Sequence, residues 1–262
     1  LSTFKDSRCL WISTPRGKGN YLYNYHLRGA DKEYPDWGSA LFTWRSNPLL
    51  SESDIKEARK AISRALFAQE YECEWTTTEA QIYDSIDEDK HVGEYVGERF
   101  SEVIAGLDVG YRDDNVFVVI GFDGKSYYII DEYVSKESTT SELAARIQEK
   151  LDEWSIDTIY IDSAAQQLKA DFAYDYDIYC ENAVKSVNDG INYIQVLIEQ
   201  GDLFFDTLGS THCFSAMSSY RWNPNTETPK PVHDWTSHPC DAIRYAIYTH
   251  SKMSNISIYA HG

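Results

Sequence analysis

Short apolar runs separated by turn residues dominate the chain from about residue 81 onward. Ile104 to Val109, Asn115 to Phe122 and Ser126 to Val134 read as three strands, the last two joined across Asp123-Gly124, a dipeptide suited to a tight hairpin. The period then changes. Ser138 to Trp154 sets Leu143, Ile147, Leu151 and Trp154 on one face of an amphipathic helix. A fourth strand, Thr158 to Ile161, ends at Asp162. Beyond it the pattern predicts a helix near Asp189 to Gln200, a strand Leu203 to Phe205, a helix near Ser210 to Tyr220, a polar loop through Pro231, and a last helix from His238 to His250. A three-strand meander, a helix and a returning strand predict an α/β fold with a central mixed sheet flanked by helices.

The first 80 residues carry a weaker pattern. Cys9 to Ile12 reads as a short buried strand running into the loop Ser13-Thr-Pro-Arg-Gly-Lys-Gly-Asn20, with an aromatic helix from Tyr21 to Leu27 after it. The stretch FTWRSNPLLSESDIKEARKAISRALF predicts a strand, a turn at Asn47-Pro48, and one helix capped by Ser51 or Ser53 with Ile55, Ala58, Ile62, Ala65 and Leu66 along its face. So few strands predict an incomplete domain at residues 1–80, followed by a second domain at 81–262.

Charge sharpens that division. Residues 1–80 hold 11 Lys+Arg and 11 Asp+Glu, so the other 13 Lys+Arg and 31 Asp+Glu carry the whole net charge of −18. Such a surface repels nucleic-acid phosphates, which are gripped by clustered Lys and Arg, unless bound cations or another domain offset it. No apolar run approaches the roughly 20 residues that span a bilayer, and LSTFKDSRCL lacks the features of a signal peptide, so a soluble intracellular chain is expected. Five scattered cysteines with no CxxC pair suggest neither a disulfide framework nor a zinc ribbon.

Three acids are expected to converge: Asp108 near the end of the first strand, Asp162 after the fourth, and Asp241 in the first turn of the last helix. Carboxylates brought together raise one another's pKa unless a divalent ion binds them, and oxygen donors select Mg²⁺ or Mn²⁺ over zinc. Two such ions about 4 Å apart activate water and stabilise the leaving oxygen in phosphodiester hydrolysis. Each acid also has a structural explanation. Asp162 suits a turn, and Asp241 suits the helix macrodipole. Asp108, between Leu107 and Val109, is costly to bury unpaired.

GLDVG, YYIIDEY, IYIDSA, AVKSVNDGINYIQVLI, SYRW and HPCDAIRYA occur in this order over residues 81–262. In that order they resemble the C-terminal nuclease domain of the large terminase subunit of tailed bacteriophages, most specifically through DAIRYA with a His three positions before its Asp. The resemblance implies an RNase H-like fold and Mg²⁺- or Mn²⁺-dependent endonuclease cleavage of concatemeric double-stranded viral DNA. It assigns catalytic metal-ligand roles to Asp108, Asp162 and Asp241. Lys185 matches a family lysine usually followed by glycine, where this chain has Ser186. ISTPRGKGNYLYNYH resembles the coupling motif late in the terminase ATPase domain, with Ser13, Thr14 and Asn20 at matching positions. A phosphate-binding GxxxxGK[ST] loop is absent, since Ile12 and Gly19 occupy two of its positions. The chain is therefore expected to be the C-terminal portion of a longer protein, beginning with the end of a P-loop ATPase domain and not hydrolysing ATP itself. Implied partners are DNA, the portal, the small terminase subunit and the missing N-terminal ATPase domain, in the host cytoplasm at the procapsid portal and with no membrane.

Accessory candidates lie beside the last helix. Asp234 and His238, with His233, read first as a polar loop and helix cap, and otherwise as an extra ligand, base or proton donor. Arg244 stands one turn from Asp241, placed to pair with it or to neutralise a phosphate. Asp113 and Asp114 read as solvated turn acids, and Tyr245 and Tyr248 as core. Two other function classes fit parts of the pattern. DVGYRDDN resembles the acid-glycine phosphate loop of actin-like ATPases and sugar kinases, without their second glycine-rich loop, and the acidic surface also suits a non-catalytic module docking a basic motor partner.

Overall fold

A computed structural model describes residues 7–15, 18, 21–75, 81–110, 114–226 and 229–260. The chain divides into two compact units, Leu1–Ala80 with Trp222–Lys230, and Gln81–Arg221 with Pro231–Gly262.

The first unit contains helices α1 (Tyr21–Ala30), α2 (Glu52–Ala61) and α3 (Arg64–Glu72), and a single 3₁₀ turn, Trp44–Ser46. Ser51 caps α2 through reciprocal bonds with Asp54, as its position in the sequence suggests. The one helix expected here is two. Ile62 is extended, and the side chain of buried Ser63 accepts from Leu66 N–H and starts α3. The strands expected at Cys9 to Ile12 and at Phe42 are not formed: Leu10, Ile12 and Phe42 are 81%, 86% and 76% exposed. A strand needs a neighbour for its N–H and C=O groups, and the described residues of this unit include none. Trp11 instead stacks on Trp37, with ring centroids 5.7 Å apart.

The second unit is built on a seven-stranded mixed sheet. Its strands are β1 (Val92–Gly93), β2 (Glu102–Asp108), β3 (Asp114–Phe122), β4 (Tyr127–Lys136), β5 (Thr158–Ile161), β6 (Cys180–Asn182) and β7 (Leu203–Asp206), in the spatial order β1-β7-β4-β3-β2-β5-β6. The expected meander is β2-β3-β4, antiparallel throughout; β5 returns parallel to β2, and β7 parallel to β4. Helix α5 (Thr140–Trp154) opens with a capping box between Thr139 and Glu142. Its Leu143, Ala144 and Ile147 join Phe172 of α6 (Gln166–Asp175) against Leu107, Phe117, Val119, Ile159 and Ile161 on one face of the sheet. The other face takes α9 (Ser237–Ala260), which contacts β2, β3 and β5 and packs with α7 (Val187–Gln200) and α8 (Thr211–Ser219). A four-residue helix α4 (Glu88–His91) precedes β1. Because α9 starts at Ser237, Asp241 lies beyond its first turn, where the macrodipole contributes little.

Candidate functional site

Register places Asp108 and Asp162 side by side. Leu107 of β2 pairs with Ile161 of the parallel strand β5, so the next residue of each chain stands at the same sheet edge, about 4.8 Å apart in backbone spacing. Both side chains share the face of Gly106, which pairs with Tyr160. Helix α9 crosses that face closely. A Cβ on Gly106 would stand 1.9 Å from the carbonyl oxygen of Ala242, so only glycine permits the crossing. Asp241 precedes Ala242, and His238 lies one turn earlier.

Each acid has its own partner. His238 Nδ1 donates to Asp108 Oδ2 at 2.6 Å across 130 residues of sequence. Asp162 Oδ1 accepts from Lys185 Nζ at 2.8 Å and from Ala164 N–H at 2.9 Å. Arg244 donates to Asp241 Oδ1 twice, from Nη2 at 2.8 Å and Nε at 3.2 Å. Burial pushes the Asp162 carboxyl up, but the bonds from Lys185 and Ala164 outweigh it and hold it below its ordinary value. For Asp241 burial prevails: its carboxyl is raised, Arg244 offsets only part of that, and Asp108 adds to the rise. The buried hydroxyl of Tyr245 is pushed up by burial and then by Asp108, Asp241 and Asp162, so all three acids act on one atom.

The other candidates separate. Asp234 accepts from Thr236 N–H at 2.9 Å and Oγ1 at 2.5 Å and shapes the turn into α9. His233 Nδ1 lies 3.2 Å from the Ser237 hydroxyl. Arg244 is 3% exposed, which fits pairing with Asp241 rather than contact with a solvated phosphate. Tyr245 and Tyr248 are buried, as expected. Asp114 corrects the reading of a solvated turn acid. It is buried in β3 with an Oδ1 that forms no hydrogen bond among the described residues, 3.6 Å from Lys136 Nζ. Val116, two residues on, pairs with Asp108, so Asp114 shares its face, and the signal was a strand beginning one residue earlier than read. Asp113 and Asn20 lie outside the described residues; Ser13 is exposed and bonds the Thr14 carbonyl at 3.0 Å. Gly106 has no role assigned on sequence grounds, because its close neighbour, the Ala242 carbonyl, is 136 residues away in the chain.

Among the described residues no three acids, histidines or cysteines stand within reach of a single ion. The donor chemistry nevertheless fits a hard divalent cation: the ends of β2 and β5 and the crossing of α9 supply three carboxylates, oxygen donors of the kind such an ion takes. Among the described residues no helix is long and apolar enough to cross a membrane.

The model of the terminase RNaseH-like domain matches residues 105–249. The large terminase subunit of Escherichia phage T5 is 38% identical over 261 residues, covering 94% of this chain and 59% of that protein. The large terminase of thermophilic bacteriophage D6E superposes with a TM-score of 0.73 at 21% identity over 91% of this chain and 60% of its own. The P22 large terminase nuclease domain gives 0.55 at 18% identity over 66% of this chain and 93% of its own. The two structural likenesses show the fold. The chain spans about three-fifths of the length of the T5 and D6E proteins.

Proposed function

The chain belongs to the terminase RNaseH-like domain family, and from that premise we propose that residues 81–262 form a metal-dependent endonuclease that cuts concatemeric double-stranded DNA during phage genome packaging. The observation that carries the reading is the matched ends of β2 and β5, which set Asp108 beside Asp162 while α9 brings Asp241 across Gly106. In this reading Asp108, Asp162 and Asp241 hold Mg²⁺ or Mn²⁺, two ions when substrate is present. Held there, such ions would supply charge neutralisation of a phosphodiester and activation of a water. The residues of the chain do the rest. Arg244 orients Asp241, His238 holds Asp108 and can pass a proton, and Lys185 is placed to exchange Asp162 for a phosphate oxygen. Residues 1–80 are read as the end of an ATPase domain, with Ser13, Thr14 and Asn20 a remnant of its coupling motif. The remainder of that domain, the portal and the small terminase subunit are the partners, and the host cytoplasm is the place of action.

The test is nicking and linearisation of plasmid by the full chain with Mn²⁺ or Mg²⁺. Asp108→Asn and Asp241→Asn should each lower the rate by about 100-fold or more. Cleavage that survives chelation, or Asp108→Asn cutting at the parental rate, overturns the reading.

A further inference from the structure

Arg244 is held in a way that exceeds the needs of an ion pair. Its Nε and Nη2 both address one oxygen of Asp241, Oδ1, and among the described residues Oδ2 receives no hydrogen bond. The guanidinium is 3% exposed and lies over the Tyr245 ring, 4.8 Å from its centroid. Its stem passes α7 at Gly190, where a Cβ would stand 2.7 Å from Arg244 Cγ and 2.8 Å from Cδ. A glycine inside a 14-residue helix costs about 1 kcal/mol against alanine, so its presence calls for a packing reason, and the arginine stem supplies one. Behind the guanidinium, Arg244 Nη1 and the hydroxyl of Tyr83 are both buried without a hydrogen-bond partner among the described residues.

We propose that Arg244 is a positioning residue which, seated in the gap left by Gly190, clamps Asp241 through Oδ1 and turns Oδ2 toward Asp108 and Asp162 as the ion-facing oxygen. The proposal rests on the nuclease reading given above and adds to it the residues that aim one ligand. It separates Arg244 from Lys185: Lys185 is 54% exposed on its side chain and reaches Asp162 from solvent, whereas Arg244 is sealed in place. A lysine at 244 would keep the charge but offer no planar pair of donors to one oxygen.

Gly190→Ala is the sharper probe, because alanine favours the helix and its methyl meets Arg244 and Tyr248 rather than the acids. Its methyl must push the arginine stem aside. Mn²⁺ affinity of the full chain is measured without DNA, by the electron paramagnetic resonance signal of the free ion, beside thermal melting and steady-state cleavage. Gly190→Ala and Arg244→Lys should each weaken Mn²⁺ binding by about tenfold, in the range seen when groups orienting a ligand are removed. The cleavage loss should fall in kcat with KM for DNA unchanged, and raised Mn²⁺ should restore much of the rate in Gly190→Ala. Arg244→Met tests the opposite limit, and its melting curve reports whether it folds. Parental Mn²⁺ affinity in a folded Gly190→Ala, with Asp108→Asn still abolishing binding, overturns the positioning role and leaves the nuclease reading intact. Parental affinity in Asp108→Asn overturns the reading beneath both.

Discussion

Gly106→Ala is the perturbation that links packing to the acids most directly. The added Cβ would sit 1.9 Å from the Ala242 carbonyl oxygen and 2.7 Å from its carbon, both backbone atoms of α9 that no rotamer change can move. A carbon–oxygen contact needs about 3.3 Å, so the helix must retreat from β2 by roughly 1.4 Å. Overpacking of this kind costs about 1–3 kcal/mol, and the stiffer unfolded chain returns about 0.4–1 kcal/mol on replacing glycine. The net is about 1.3 kcal/mol, or a Tm lower by about 3–5 °C for a unit of this size. The retreat carries Asp241 away from Asp108, and misplacement by about 1 Å suffices for a 100-fold loss of rate. Gly209→Ala is the matched control, since its Cβ would also stand 1.9 Å from a backbone oxygen, that of Ile130 on β4, three strands from β5. Both variants should melt earlier by similar amounts, and only Gly106→Ala should lose Mn²⁺ binding and cleavage. Parental melting and binding in Gly106→Ala refutes the close crossing, and an equal loss of binding in Gly209→Ala refutes its local effect on the acids.

Two further predictions concern acids away from that edge. Asp206 accepts four backbone N–H bonds, from Tyr95, Val96, Leu208 and Gly209, at 2.8–3.2 Å. Burial pushes its carboxyl up, yet those bonds prevail and hold it below its ordinary value, so its stabilisation is present above about pH 4 and is lost as pH falls through the lowered folded value. Asp206→Asn should therefore reduce stability at pH 7 and flatten its decline below about pH 4, read by urea unfolding across pH; an unchanged slope would count against the assignment. Glu132 on β4 accepts from His212 and Cys213 N–H at 2.7 Å each and so anchors the start of α8. Glu132→Gln should cost about 1–2 kcal/mol by denaturant melting and leave Mn²⁺ affinity as it was, whereas parental stability would show that the paired bonds carry no net weight.

Elements were legible where one face is buried and the other is wet. Helix α5 announced itself through Leu143 and Ile147 and through the Thr139–Glu142 box, and the hairpin through Asp123-Gly124. Helix α6 and strand β6 were missed because they carry little apolar signal. Phe172 is the sole buried residue of α6, and β6 is a three-residue edge strand with two exposed positions. In the first unit the failure had the opposite sign. Cys9 to Ile12 has the composition of a strand, but composition cannot supply the neighbouring strand that would satisfy its backbone.

The acids themselves could be read from the sequence, since each follows or interrupts an apolar run, but what balances their charge could not. The Arg244–Asp241 pair is local, at i and i+3, and so was foreseen. The Lys185–Asp162 and His238–Asp108 pairs depend on strand order and helix crossing and have no signature in spacing. For the same reason the net charge of −18 misleads when applied to this edge. Summed over the chain, it argues for repulsion of DNA at every point of the second unit. Yet electrostatic energy within a few ångströms is set by contact partners, and longer-range terms between exposed charges are screened over about 10 Å. At the ends of β2 and β5 those partners are Lys185, Arg244 and an imidazole, a local cationic complement that the total conceals. Asp114 extends the argument. It is a fourth carboxylate on the same face, buried and only loosely approached by Lys136 at 3.6 Å. These contact partners, rather than the global charge, set the field that a cation or a phosphate would meet at this edge.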